Sequence, residues 1–479
     1  MLFRSLSDPA NHVIVMHDAG GNRSETVEAL KVLIPKLKSQ GYRFIGLPEA
    51  SGLPAASFNS PLEHSELFFV SVTALVAGIL RYGWLIIVWL FFFTTAVAIL
   101  RILFLGSMVI VSAVNSKRNR VDALPSFPLS VLIPAFNEEK TIGYTLQSLL
   151  KSTYQNIEII VIDDGSTDRT ARIVEEISER ETRVKLLSKQ NGGKSSALNA
   201  GMEMASADIV ITGDADTIFF PETLSELAKP FLDPNVDAVC GNVEVGNVRN
   251  LLTGFQSLEY ITTQNFDRRA FDALNCISVV PGATGAWRRK KIMDLGGYLD
   301  DTLTEDAELT LRLLEAGGKI VYAPGARSKT EAPETVSALA KQRFRWSFGT
   351  FQVLRKNQKE FFHGSLGWVA LPNMFLFQIL FPILSPIGDL VFLLAIWRGD
   401  FGAIFAGYTL FVIMDVLGSL LAFVLEQRPK KLMWLILIQR FFYRQFMYVI
   451  TYRAIVAMLK GRRYGWNKLD RTGGAGLKN

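Results

Sequence analysis

The chain has 479 residues, 49% of them hydrophobic, with 51 Lys and Arg against 45 Asp and Glu and a formal net charge of +6. That length exceeds one ordinary domain, the positive mean hydropathy points to very apolar segments beside a soluble part, and no stretch carries the dense basic run with interleaved aromatics of a nucleic-acid binder. The two cysteines, Cys240 and Cys276, argue against a disulfide framework or a Cys-type zinc site and suit a reducing compartment.

In chain order, residues 1–20 contain Asp8, His12, His17 and Asp18 and lack the apolar core of a secretory signal, so membrane insertion is expected from internal segments. Leu67 to Leu80 reaches only roughly 21 Å as a helix and falls short of a bilayer core. It predicts an interfacial helix or the first arm of a hairpin. Residues 84–100 carry no charge, and apart from Arg101 the apolar run continues to Asn115. About 20 apolar residues suffice to cross a bilayer, so one span is expected over 84–114. Lys117, Arg118 and Arg120 follow and place that end in the cytoplasm.

Residues 125–360 are soluble in character. Strand-like runs at 130–136, 158–163, 184–188 and 208–214 alternate with helix-like segments at 138–151, 168–180, 194–205 and 221–232. This order predicts a parallel sheet covered by helices, with ligands at the carboxyl ends of the strands. From 366 the chain turns apolar, with candidate spans at 370–396, 402–425 and 432–458. Pro372, Pro382 and Pro386 predict a broken or partly interfacial first segment. Arg440, Arg444 and Arg453 in the last must face protein or a watery cavity; a sugar-holding cavity and helix pairing with snorkelling are both open. Three spans would place the basic tail outside, against the positive-inside rule. Either one candidate does not span or the tail breaks the rule.

Acidic and polar clusters fall at predicted strand ends: Asn137-Glu138-Glu139, Asp163-Asp164-Gly165-Ser166, Asp214-Ala215-Asp216 and Thr304-Glu305-Asp306. A D-x-D triplet offers hard oxygen ligands for Mg²⁺ or Mn²⁺ beside substrate phosphates, and is also common in solvated turns. Asp163-Asp164-Gly165 suits either a turn or hydrogen bonding to a nucleoside. Asn191-Gly192-Gly193-Lys194 offers a loop with one cation. Thr302-x-x-Glu305 matches a helix capping box, which accounts for Glu305 structurally, and Asp306 is placed for a general base or for the first helical turn. Gln342, Arg345 and Trp346 lie on a predicted cation-rich helix, suited to a membrane surface, to clamping a diphosphate and to stacking on a sugar.

In this order the motifs resemble the family 2 glycosyltransferases, in particular the processive membrane synthases. The resemblance covers residues 128–350 and rests on Asp163–Ser166, Asp214-x-Asp216, the Gly282-Ala283-Thr284-Gly285-Ala286 loop, Thr304-Glu305-Asp306 and Gln342-x-x-Arg345-Trp346. It implies a GT-A-like (Rossmann-type) α/β catalytic domain flanked by transmembrane helices. It also implies that Asp163, Asp164, Lys194, Asp214 and Arg345 hold a UDP-sugar donor, and that Asp214 and Asp216 bind Mg²⁺ or Mn²⁺. Asp306 becomes the base of an inverting displacement. Gly282, Ala283, Thr284, Gly285, Gln342 and Trp346 become contacts to a growing polysaccharide. The tail, with Arg462, Arg463 and Trp466, is similar to those of poly-β-1,6-N-acetylglucosamine and chitin-type synthases.

His12 to Glu49 resembles the last strand–helix–strand of a polysaccharide deacetylase, including Met16-His17-Asp18, without that family's upstream metal motifs. This remnant implies an N-acetylated sugar, hence UDP-N-acetylglucosamine, and an extracytoplasmic N-terminus. The expected divisions are therefore the remnant (1–63), an interfacial helix and span (64–116), a cytoplasmic catalytic domain (117–362), membrane helices (363–460) and a basic tail (461–479). The expected setting is the inner membrane, with the bilayer and a small membrane subunit as candidate partners. Single transfer to a lipid-linked acceptor, or a non-enzymatic part in polysaccharide export, are the alternatives.

Overall fold

The computed structural model describes residues 24–57, 63–118, 125–399, 402–427, 430–461 and 473–474. Within the N-terminal unit, residues 1–83, the expected helix of the deacetylase-like segment forms over Ser24–Ser39. No second strand follows it among the described residues, where 42–46 are irregular; a strand without a sheet neighbour is not stable alone. Met16, His17 and Asp18 lie outside the described residues.

The expected interfacial helix and first span form one continuous helix, His64–Arg118. Neither Arg81 nor Gly83 breaks it, since an isolated Gly costs a helix only about 1 kcal/mol.

The core of the soluble part is an eight-stranded sheet in the order β3-β2-β1-β4-β7-β6-β8-β5. Strands β1 (Leu129–Ala135), β2 (Ile157–Asp163), β3 (Val184–Ser188) and β4 (Ile209–Thr212) are parallel. The runs of Ile, Leu and Val in β1, β2 and β4 are buried on both faces, as a parallel sheet between helices requires, while β3 at the sheet edge is only half-buried. The helices Ile142–Leu150, Thr170–Ser178 and Lys194–Met204 stand where the apolar periodicity predicts them. The expectation of a parallel sheet fails in the second half. β7 (Gly285–Arg288) inserts antiparallel between β4 and β6 (Val236–Val245), while β8 (Lys319–Thr330) runs parallel to β6 and antiparallel to the short β5 (Ile218–Phe219). The sheet is mixed.

Three helices among the described residues are long and apolar enough to cross a membrane: His64–Val114, Leu366–Trp397 and Ala403–Leu425. The prolines do not break the second. It runs through π-helical turns at Leu366–Ala370 and Leu376–Leu380, just before Leu371 and Phe381, and such turns take up the irregularity that Pro372 and Pro382 impose. The third C-terminal candidate is interrupted, as Leu435–Gln439 followed by Tyr443–Leu459. Its arginines pair with other helices: Arg440 Nη2 lies 3.2 Å from Asp389 Oδ1, and Arg444 Nη2 lies 3.0 Å from Asp415 Oδ2. For these two the pairing reading holds.

The core domain and the membrane helices are joined by buried polar contacts. Arg269 Nη2 sits 2.8 Å from Glu426 Oε1, and Asn242 Nδ2 donates to Glu426 at 2.5 Å. Replacing Glu426 by Ala leaves the Arg269 guanidinium buried and uncompensated, at a cost of about 3–5 kcal/mol. The Tm of the detergent-solubilised chain is expected to fall clearly. Arg169→Ala, which removes an exposed pair with Glu139, leaves it unchanged.

Candidate active site

The carboxyl ends of β1, β2 and β4 open onto a cavity of 1020 Å³. Its wall carries Asp164, Lys194, Asp214 and Asp216 on the sheet side, then Gly282, Ala283, Glu305 and Asp306, then Gln342, Arg345 and Trp346 of the Val336–Lys356 helix. It ends at Asn373, Phe377 and Gln378 of the Leu366–Trp397 span and at Arg101 of the first. Segments far apart in sequence thus share one space.

The Asp-Asp-Gly-Ser turn divides its labour. Asp163 is not on the cavity wall; its Oδ1 accepts from the Ser166 amide at 3.3 Å, so it shapes the turn. Asp164 accepts from Lys189 Nζ at 2.8 Å and from the Gly192 and Gly193 amides at 3.0 and 2.8 Å. It latches the 189–193 loop against β2. Gly165, at φ +78°, is required here: a Cβ would come 2.9 Å from the Asn191 nitrogen.

Lys194 opens its helix and points into an acidic cluster. Its Nζ lies 2.7 Å from Asp214 Oδ1 and 3.1 Å from Glu305 Oε1. Burial works to discharge this ammonium, but Asp214, Glu305 and Asp306 together outweigh it and hold the charge well above the ordinary lysine range. The capping box does not form. The helix Glu305–Glu315 begins after Thr304, without a side-chain cap, and Glu305 turns to Lys194 instead. Glu305 is therefore a site residue that the capping pattern concealed.

Asp306 is half-buried. Its Oδ2 accepts from the Gly282 amide at 3.3 Å and its Oδ1 from Ala307 at 2.9 Å. Burial first, and the neighbouring Glu305 second, push its carboxyl up to about 6 against the pull of Lys194.

The 282–286 loop contributes less than expected. Gly282 and Ala283 line the cavity, but Thr284 and Gly285 do not. Thr284 is fully buried, bonding the Ser328 hydroxyl, and Gly285 is the first residue of β7, because the antiparallel insertion carries this part of the loop into the sheet.

On the Val336–Lys356 helix, Arg343 is the fixed residue. Its Nη1 lies 2.9 Å from Glu259 Oε1 and its guanidinium stacks 4.1 Å from the Trp346 ring. Trp346 also packs by Val243, Tyr260 and Ala283. Gln342 is buried and its Oε1 has no hydrogen-bond partner among the described residues. Arg101 was not among the expected site residues; its Nη2 lies 2.7 Å from Asp267 Oδ2 and its Nε donates to Asn373 Oδ1 at 2.9 Å. A lone cation in an otherwise uncharged span is the signal that could have found it.

The cavity also meets the tail. The amides of Gly473 and Gly474 donate to Glu331 Oε2 at 3.0 and 3.2 Å, and Arg249 Nη2 donates to the Gly474 carbonyl at 3.0 Å. Glu331 lines the cavity.

Residues 130–296 match the family model described as Glycosyl transferase family 2. Among curated proteins, the chain is 33% identical over 230 residues to a poly-beta-1,6-N-acetyl-D-glucosamine synthase of Staphylococcus aureus (strain COL), covering 48% of this chain and 56% of the relative. It is 36% identical over 258 residues to a probable glycosyltransferase of Bacillus subtilis (strain 168), covering 51% and 60%. The chain thus spans little more than half the length of the curated relatives it matches. A solved mannosyltransferase from Pyrobaculum calidifontis, in complex with GDP-Man and Mn²⁺, superposes with a TM-score of 0.51 at 20% identity, covering 77% of this chain and all of that one; this likeness speaks to the fold. Residues 130–296 are thus similar to family 2 glycosyltransferases, and the fold around them is GT-A-like.

The Asp164 latch is testable by itself. Asp164→Ala removes hydrogen bonds to a charged acceptor, each worth about 1.5–3 kcal/mol. Trypsin is expected to cut after Lys189 faster in this variant than in the parent. An unchanged cleavage rate at Lys189 would contradict the latch.

Proposed function

We propose that the chain is an inverting, processive glycosyltransferase that polymerises UDP-N-acetylglucosamine into a β-linked polysaccharide at the inner membrane. The observation that carries this reading is the continuity of the cavity, from the acidic sheet-end cluster, past Gln342 and Trp346, to polar side chains of the membrane helices. Single transfer to a soluble acceptor has no need of such a route, and the length of the product separates polymerisation from single transfer to a lipid-linked acceptor.

The donor's nucleotide is assigned to the carboxyl ends of β1 and β2, beside Asp164 and the loop it latches, and its diphosphate to the region of Asp214, Asp216, Lys194 and Arg345. Asp214 and Asp216 are oxygen ligands that fit Mg²⁺ or Mn²⁺. No group of three or more His, Cys, Asp or Glu side chains suited to a metal occurs among the described residues, so the remaining coordination falls to phosphate oxygens, as such cations favour. The metal would neutralise charge developing on the diphosphate.

Asp306 takes the proton from the acceptor hydroxyl as that oxygen attacks the anomeric carbon and UDP departs from the opposite face, which inverts the configuration. Gln342, whose buried amide oxygen lacks a hydrogen-bond partner among the described residues, suits a sugar hydroxyl, and Trp346 a sugar ring.

For topology, two spans after the catalytic domain return the tail to the catalytic side. The contact of Gly473 and Gly474 with Glu331 supports this, and the basic tail then agrees with a cytoplasmic location. A single crossing by His64–Val114 puts the N-terminal segment outside.

The deciding experiment incubates the purified full chain in lipid with a panel of UDP-sugars. A long β-linked polymer from UDP-N-acetylglucosamine is expected. Addition of one sugar only, or no turnover with any donor, overturns the reading. The base assignment has its own tests. Because the carboxylate is the active form and its carboxyl is pushed up to about 6, the turnover rate is expected to fall as pH drops through that value. Asp306→Asn should lower turnover by about 10²-fold or more with UDP affinity unchanged, and normal turnover in this variant would sink the assignment.

A further inference from the structure

We propose that Lys194 is a built-in counter-cation for Asp214, so that a divalent metal gains this carboxylate only together with a diphosphate that draws the ammonium away. The inference rests on the assignment of Asp214 and Asp216 as metal ligands.

The ammonium already occupies the ligand position. Lys194 Nζ is 2.7 Å from Asp214 Oδ1, on the more exposed carboxylate of the pair, and Glu305 tethers it from the other side at 3.1 Å. Its seat is sterically specified. A Cβ on Gly282 would come 2.8 Å from Nζ and 3.8 Å from Asp214 Oδ1, so the absence of a side chain at 282 leaves room for the ammonium. The anchor is equally fixed, since Gly193, in a left-handed conformation at φ +85°, turns the chain directly into the helix that Lys194 begins.

The consequence follows from charge. A bare dication approaching Asp214 meets a like charge at contact distance in a partly desolvated site, where such repulsion is weakly screened. Glu305 and Asp306 add negative charge nearby, but of the two carboxylates assigned to the metal Lys194 occupies the more exposed one. A nucleoside diphosphate reverses the balance, because its oxygens serve the metal and offer the lysine a second anionic partner. The lysine stem is flexible and its ammonium compact. The ammonium can therefore pass from Asp214 to a phosphate oxygen while Glu305 keeps it in place. Asp214 is released to the metal only at that moment, and the site remains metal-poor until donor arrives.

The test measures Mn²⁺ binding by the loss of its free-ion EPR signal, with full-length chain in detergent, with and without UDP. The parent protein is expected to bind Mn²⁺ weakly alone and much more tightly with UDP. Lys194→Met should tighten nucleotide-free Mn²⁺ binding by about tenfold or more, and Lys194→Arg should retain the parent pattern. Gly282→Ala crowds the ammonium away from its seat without changing any charge and should move nucleotide-free binding in the same direction as Lys194→Met, which covers the case of a lysine variant that fails to fold. Tight nucleotide-free binding by the parent, or no tightening in either Lys194→Met or Gly282→Ala, overturns the proposal while leaving the metal ligands assigned. A parent protein that takes up no Mn²⁺ even with UDP overturns the metal assignment itself.

Discussion

The carboxylate of Glu259 ties the C-terminal Tyr443–Leu459 helix to the sheet domain. One oxygen receives Arg343 at 2.9 Å and the other receives the Tyr443 hydroxyl at 2.5 Å. Three elements meet there: the Leu251–Glu259 helix, the Val336–Lys356 helix and the Tyr443–Leu459 helix. Such a buried pair contributes little net stability, because desolvation offsets its attraction, yet breaking it is costly. Its effect here is geometric. Arg343 stacks on Trp346 and stands beside Gln342, and all three line the cavity.

The same logic governs the acidic cluster. Lys194, Asp214 and Glu305 come from a helix start, a strand end and a second helix start, and no local preference would assemble them. An ammonium between two carboxylates is what makes their approach tolerable. Glu305 then has a second effect: lying beside Asp306, it raises that residue's affinity for a proton, together with burial. For the base role proposed for Asp306, a pKa near neutrality is the better compromise between being deprotonated and being basic.

How much of this was legible in the sequence follows from which interactions are local. Strands β1 to β4 and their helices were readable because doubly buried Ile, Leu and Val runs alternate with amphipathic segments. β7 was not, because Gly285–Arg288 is too short to show a period, and its antiparallel insertion is decided by β4 and β6 on either side. The same insertion withdrew Thr284 and Gly285 from the cavity. Asp214, Asp216, Asp306, Gln342, Arg345 and Trp346 line one cavity, and their order along the chain is the signal that singled them out. Glu305 was hidden by a plausible local explanation, the capping pattern, that loses to a charge partner more than a hundred residues earlier. Asp163 was misplaced because adjacent aspartates look alike in sequence while one faces the turn and the other the loop.

The membrane arginines show why composition alone could not decide between a sugar path and helix pairing. Arg440 and Arg444 each find an aspartate on another apolar helix, Asp389 and Asp415, and neither lines the cavity. Their charges are spent on holding helices together. Arg101 differs. It too has a carboxylate, Asp267, but that residue belongs to the Phe266–Asp272 helix of the catalytic domain, and both residues line the cavity together with Asn373. Its guanidinium also lies 4.5 Å from the Phe377 ring. The cation that joins the catalytic cavity to the spans is therefore the one in the first span, where the sequence showed a single interruption of an apolar run, and not the cluster in the last segment, where the arginines were most conspicuous.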